Sequence, residues 1–101
     1  MAAKKRTTSI FITWRPEREV YRVSFEAGED IFHDVVKALK TIDFEFRSYN
    51  SVTRSWYIHP SQLDRVREIA LQYFDNAQLT EGDVTVNLQT GQATQQLRLF
   101  S

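Results

Sequence analysis

The fold of this chain is decided first by residues 9–25, which read SIFITWRPEREVYRVSF. Two β-branched and aromatic runs are separated by the polar, turn-like segment RPER. Side chains alternate between the two faces of a strand, so Tyr21, Val23 and Phe25 would share one face and Arg22 would lie on the other. The stretch therefore predicts a β-hairpin with an arginine on its solvent face.

A hairpin followed by a helix occurs twice along the chain. The predicted elements after the first hairpin are a helix at 31–42 with Asp30 as its N-cap, a hairpin at 44–59, a helix that starts at Pro60-Ser61 in capping-box style and runs to Phe74, and a strand at 83–88. The order ββαββα(β) predicts an α+β sandwich, in which an antiparallel sheet carries both helices on one face. The other face of the sheet would be free to bind a partner.

Length and composition indicate one small globular domain. The chain has 101 residues, of which 42% are hydrophobic and 26% charged. We expect a flexible basic arm at residues 1–8, a single domain at residues 9–88 and a flexible tail at residues 89–101. There is no cysteine and no apolar run approaching the ~20 residues that span a bilayer, so we expect a cytoplasmic protein without membrane contact.

The end of the sequence carries a short recognition pattern. Gln96-Leu97-Arg98-Leu99-Phe100 resembles the pentapeptide Gln-Leu-x-Leu-Phe with which bacterial replication and repair proteins dock on the sliding clamp. The resemblance implies that Leu97, Leu99 and Phe100 enter an apolar pocket while the Gln96 amide forms directional hydrogen bonds. The family usually carries Ser or Asp at the middle position, so Arg98 is a departure.

A structural interpretation of the same residues stays open. Leu97 and Leu99 occupy alternate positions, and a last β-strand could pair with 83–88 after a turn at Thr90-Gly91. The docking interpretation is favoured by the position of the motif at the end of the sequence, where segments are most accessible. The preceding residues 89–96 contain no large apolar side chain, which is typical of a tether.

A second resemblance covers residues 46–60, which read FRSYNSVTRSWYIHP. This stretch resembles the core of the HARP domain of annealing helicases, in which a tyrosine, a short turn, a basic residue, a tryptophan and a proline recur in this order. Coverage extends over about residues 10–74. The resemblance implies recognition of DNA structure, such as forks or junctions between single and double strands, rather than of base sequence.

The residues of this hairpin support DNA binding on their own chemistry. Guanidinium groups bind phosphates through paired hydrogen bonds, and aromatic rings stack on unpaired bases. The candidate DNA-binding residues are Arg22, Arg47, Tyr49, Arg54 and Tyr57. Trp56 alternates with Tyr57 and is expected in the core. With 13 basic and 13 acidic residues the net charge is zero, so binding would depend on local segregation of charge.

No catalytic, metal or cofactor site is predicted. His33 and His59 lack the spacing of metal ligands, and the phosphate loop of ATP-dependent motors is absent from the sequence. We therefore expect a non-enzymatic accessory module of DNA replication or repair, with DNA and the bacterial sliding clamp as partners. One alternative is an inhibitor of phage or mobile-element origin that binds the clamp or repair proteins without DNA. Others are a compact nuclease, for which Asp43 and Glu45 have a faint acidic pattern, and a structural accessory domain.

Overall fold

The computed structural model describes residues 8–95, which form two α-helices and a seven-stranded sheet. The strands are β1 (Ser9–Arg15), β2 (Val20–Glu26), β3 (Arg47–Asn50), β4 (Ser55–Ile58), β5 (Asn76–Glu81), β6 (Val84–Asn87) and β7 (Ala93–Gln95). The helices are α1 (Glu29–Leu39) and α2 (Leu63–Tyr73), and short 3₁₀ turns occupy Phe44–Phe46 and Pro60–Gln62. The predicted α+β class is confirmed.

The sheet has the order β3-β4-β2-β1-β5-β6-β7 and is mixed, so the prediction of a purely antiparallel sheet is wrong. β1 pairs in parallel with β5, and the other neighbouring strands are antiparallel. Parallel neighbours need a long crossover connection, and α2 lies in the segment that leads the chain back to β1. β5 escapes prediction from the sequence because Asn76–Glu81 is mostly polar, with buried side chains only at Ala77 and Leu79.

The core lies between the helices and one face of the sheet. Its fully buried members include Ile10 and Ile12 of β1, Val23 of β2, Ile58 of β4, Val35 and Leu39 of α1, and Val66 and Ile69 of α2. On the strands these residues alternate with more exposed ones, so the helices cover a single face. Burying each large aliphatic side chain contributes roughly 1.5–3 kcal/mol, which fixes the face that each strand turns toward the helices.

Both helix starts differ from the predicted ones. Gly28, not Asp30, is the N-cap of α1, and its carbonyl accepts a hydrogen bond from the Phe32 amide at 2.7 Å. Asp30 lies in the first turn, where a carboxylate is favoured by the helix dipole. Before α2, the amide of Ser61 donates to Nδ1 of His59 at 3.1 Å, so His59 takes the capping role expected of Ser61.

The segment predicted as a tether is partly built into the fold. Gln89 forms hydrogen bonds with the backbone of Phe74 and Ala77, and residues 93–95 form β7, which pairs with β6. A strand therefore does follow the Thr90-Gly91 turn, although it consists of Ala93–Gln95. The alternative placement of Leu97 and Leu99 on a strand, and the whole pattern 96–101, lie outside the described residues.

The domain begins at Thr8, one residue earlier than predicted. Thr8 is buried, its Oγ1 accepts from the Asp75 amide at 3.0 Å, and its carbonyl accepts from the Asn76 amide at 3.0 Å. Thr8 therefore belongs to the domain, while the rest of the predicted basic arm, residues 1–7, lies outside the described range. No helix between residues 8 and 95 is long and apolar enough to cross a membrane.

Candidate nucleic-acid interface

The β3–β4 hairpin divides the predicted DNA-binding residues between the two faces of the sheet. Tyr49 pairs with Trp56, and Ser48 pairs with Tyr57. Since Trp56 is buried on the helix side, Arg47 and Tyr49 share that side, whereas Tyr57 lies on the open face with its register partner Arg22. The five residues therefore do not form one surface.

A groove opens on the helix side, between α1 and the strands β2, β4 and β3. It encloses about 820 Å³. Its lining residues are Phe25, Glu26, Ala27, Phe32, Val36, Lys40, Arg47, Tyr49, Arg54 and Trp56. Three of the predicted residues, Arg47, Tyr49 and Arg54, are thus brought together here, beside aromatic and aliphatic side chains.

Three cations line this groove, and they are held in different ways. Arg47 is half-buried, and its Nε donates to the carbonyl of Ile42 at 2.7 Å. This hydrogen bond anchors the Nε end of its guanidinium group. Arg54 is exposed in the β3–β4 turn, where it adopts a φ of 55°. Lys40 follows the last turn of α1. Within residues 8–95 the side chains of Lys40 and Arg54 form no ion pair or hydrogen bond, so both charges are available to a ligand.

The aromatic part of the groove combines a fixed ring with accessible ones. Trp56 is only 6% exposed and Tyr49 is 50% exposed, with ring centroids 5.1 Å apart and planes tilted by 53°. The expectation that Trp56 belongs to the core is confirmed. On the opposite wall Phe32 is 43% exposed and contacts Phe25 at a centroid distance of 5.6 Å. Tyr49 and Phe32 therefore present ring surface to the groove.

Lys40 and Phe32 provide a cation and an accessible ring to the groove, but neither belongs to the predicted set. The sequence carries a signal for each, because Phe32 starts the apolar stripe of the first helix and Lys40 lies near its end. Their relation to the hairpin depends on how α1 crosses the sheet, which the sequence pattern does not give. Among residues 8–95, Glu26 is the only acidic residue that lines the groove, where it faces three cations.

The open face carries the other two predicted residues. The Nε of Arg22 donates to Oγ of the buried Ser55 at 3.0 Å, which holds the guanidinium along the sheet. The guanidinium carbon of Arg18 lies 5.3 Å from the centroid of the Tyr57 ring, a cation–π arrangement. We call Arg18, Arg22 and Tyr57 the open-face cluster.

Arg15 lies on the same hairpin but its charge is largely balanced. Its Nη2 lies 2.8 Å from Oε2 of Glu17. The pKa of Glu17 is lowered, first by a hydrogen bond from its own backbone amide and then by Arg15. Glu17 is therefore ionised at neutral pH, which leaves Arg18 and Arg22 as the cations of this hairpin that face no carboxylate at ion-pair distance within the described residues.

The acidic and histidine side chains do not gather into a metal-binding group. Among residues 8–95 no three His, Cys, Asp or Glu side chains are placed to hold a metal ion. Asp43 and Glu45 flank the start of a 3₁₀ turn rather than lying on a strand. Nδ1 of His59 accepts a hydrogen bond from the Ser61 amide at 3.1 Å, so this ring is used to cap the turn that precedes α2.

Comparison of this chain with known proteins identifies no relative. No family model, curated protein or solved structure matches the chain. The interpretation of the groove therefore depends on its own charges, rings and exposure.

Proposed function

We propose that this protein is a non-enzymatic accessory module of DNA replication or repair. It binds unpaired DNA at forks or junctions through the groove and docks on the bacterial sliding clamp through Gln96–Phe100. The observation that carries the proposal is the convergence of three cations and two accessible rings, Tyr49 and Phe32, in one groove. Surfaces that bind single strands combine these two features, since cations follow the phosphates and rings stack on bases.

The groove fits a flexible single strand better than a duplex. Much of its lining is aromatic or aliphatic, and unpaired bases can turn toward such a wall, whereas a duplex presents its phosphates outward. Arg54 and Lys40 are exposed and unpaired within the described residues, so they can contact phosphates without first breaking an internal ion pair. Binding of this kind tolerates many sequences and depends strongly on salt.

The position of the C-terminal pattern is compatible with two partners at once. β3 and β7 are the opposite edges of the sheet, six strand spacings apart, which corresponds to about 29 Å. The clamp-docking pattern begins at Gln96, directly after β7, so it is attached far from the groove. Tethering to the clamp would raise the local concentration of the groove near DNA, and two weak contacts would then act together.

The proposed DNA binding by the groove is tested with the double variant Lys40→Ala/Arg54→Ala. Each phosphate contact to a single strand contributes about 0.7 to the salt exponent, so losing two contacts should weaken binding roughly 25-fold at about 0.1 M salt. Fluorescence anisotropy with a labelled single strand, repeated over a salt series, measures both the affinity and the slope. The slope should fall by about 1.4.

The matched control is Lys37→Ala/Arg67→Ala. It removes the same charge from exposed helix positions that do not line the groove. Binding should change little in the control, because the removed charges contact no phosphate. Equal weakening of DNA binding by both variants would show that net charge alone causes the loss. Unchanged binding by the groove variant would exclude the groove as the DNA site.

The proposed clamp binding is tested by calorimetry with a bacterial sliding clamp. The chain ending at Gln95 and the variant Leu99→Ala/Phe100→Ala should both lose binding, because the apolar anchors are removed. Arg98→Ala changes the middle position of the pattern and should leave binding intact. Clamp binding without any DNA binding would instead support the alternative of a clamp inhibitor.

A further inference from the structure

The open-face cluster lies directly behind the groove, on the other side of the same hairpin. Trp56 and Tyr57 are consecutive residues of β4, so one ring faces the helices and the next faces away from them. The register repeats this division on β3, where Tyr49 pairs with Trp56 and Ser48 pairs with Tyr57. The hairpin therefore carries a ring on each face, with only the thickness of the sheet between them.

The cluster has the same two chemical components as the groove. Tyr57 provides a half-buried ring, and Arg18 from the β1–β2 turn lies over it at 5.3 Å. Arg22 is the register partner of Tyr57, and its Nε donates to Ser55, whereas its Nη groups form no hydrogen bond or ion pair within residues 8–95. Cations that flank an aromatic ring are suited to an unpaired nucleic-acid strand.

A shallow depression of about 170 Å³ lies beside Tyr57. It is lined by Val20, Glu45, Phe46, Arg47, Ser48, Tyr57 and His59. The exposed ring of His59 lies at this depression, and its Nδ1 bonds to the Ser61 amide at 3.1 Å. Arg47 lines both this depression and the groove, so the two surfaces meet at the β3 edge.

The edge position of β3 makes the hairpin accessible from both sides. β3 is the terminal strand of the sheet and has only four residues, Arg47–Asn50. No other strand of the described chain lies beyond it. A strand of DNA on one face and a second strand on the other would be separated by this thin polar edge.

We infer that the open-face cluster is a second strand-binding surface, so that the β3–β4 hairpin lies between the two single strands of a branched DNA. This inference rests on the proposed function, since the groove takes one of the strands. It specifies the ligand further, because a chain with two such surfaces prefers a fork with two unpaired arms over one single strand. Arg18, Arg22 and Tyr57 supply the second contact.

The test compares a single strand with a fork whose two unpaired arms each have the length and composition of that strand. Arg18→Ala/Arg22→Ala should weaken fork binding roughly 25-fold at about 0.1 M salt, on two lost phosphate contacts, and leave single-strand binding within about twofold. Lys40→Ala/Arg54→Ala should weaken both. Lys37→Ala/Arg67→Ala is again the charge-matched control.

The outcomes separate this inference from the proposed function. Unchanged fork binding by the open-face variant, with groove-dependent binding of the single strand, overturns the second surface alone. Equal weakening of fork and single strand overturns it as well, since one strand would then wrap around both faces. Absence of DNA binding by the unaltered chain overturns both proposals. If the double variant does not fold, Arg18→Ala serves, because Arg18 is exposed in a turn and should give about a fivefold loss on the fork alone.

Discussion

Gln89 is expected to be a stabilising residue of this domain although it is exposed and lies in a polar segment. Its Oε1 accepts from the amide of Ala77 at 2.9 Å, and its Nε2 donates to the carbonyl of Phe74 at 2.8 Å. Phe74 is the C-cap of α2 and Ala77 is fully buried in β5, so one side chain bridges the two ends of the connection between the second helix and the parallel strand. Replacing Gln89 by Ala removes both hydrogen bonds.

The expected loss for Gln89→Ala is about 2 kcal/mol, since each hydrogen bond contributes a net 0.5–1.5 kcal/mol or so. For a domain of this size that loss lowers Tm by roughly 8–16 °C. Thermal and urea denaturation followed by circular dichroism measure it. Gln89→Glu keeps the acceptor for Ala77 but lacks the donor for Phe74, so it should fall between wild type and the alanine variant.

Gln92→Ala is the matched control, because Gln92 is exposed and its side chain forms no hydrogen bond within residues 8–95. It should change stability by less than about 0.5 kcal/mol. If Gln89→Ala melted as close to wild type as this control does, the two hydrogen bonds would contribute nothing, and the structural role assigned to Gln89 would be refuted.

Two further predictions concern alkaline stability and the end of the chain. Burial and a hydrogen bond to Glu81 raise the pKa of Tyr21 to about 12, so from about pH 10 to 12 the unfolded chain loses a proton that the folded one keeps. The free energy of unfolding should therefore fall as pH rises through this window, and it should fall less in Tyr21→Phe. Urea denaturation at a series of pH values from about 9 to about 12 measures it. An equal dependence of stability on pH in both proteins would contradict the prediction. The chain ending at Gln95 should keep its Tm, because residues 8–95 contain the core cluster and the seven strands of the sheet, and a large decrease would support a structural tail.

The hairpins and helices follow from the sequence because each has a local signal. Alternation between Tyr21 and Phe25 gives β2, and helical spacing through Val35 and Leu39 gives α1, and both are found. β5 has no comparable signal, since Ala77 is small and polar residues surround Leu79. Its place beside β1 is decided by burial of those two side chains under the helices, which is a tertiary effect.

The division of the candidate site between two faces has a different cause. Which side a hairpin residue faces depends on the register, and the register depends on the turn. Here Oδ1 of Asn50 accepts from the amides of Val52 and Thr53, and Arg54 adopts a positive φ, so Asn50 comes to pair with Ser55. The composition of the hairpin predicts a cationic and aromatic surface, but not that this turn separates it into two.

The tail could be predicted only in part, for a reason that Gln89 illustrates. A polar segment without large apolar residues is typical of a tether, because it has little to bury. A single amide that pairs with two backbone groups can nevertheless hold such a segment in place. Composition does not show this pairing, which depends on the backbone of Phe74 and Ala77 lying within reach.

The zero net charge of the chain limits the rate and the affinity with which both proposed surfaces would bind DNA. Thirteen basic and thirteen acidic residues produce little long-range attraction, so the rate at which this protein finds DNA should gain little from electrostatic steering. At physiological salt, exposed charges more than about 8 Å apart are largely screened, so acidic residues far from Arg54 on the sheet would not weaken its contacts. Local clusters can thus bind phosphate on a neutral protein, but with modest affinity. The proposed docking peptide, which follows β7 in the sequence, would complement this weak binding, because tethering to the clamp raises the local concentration that electrostatic steering does not.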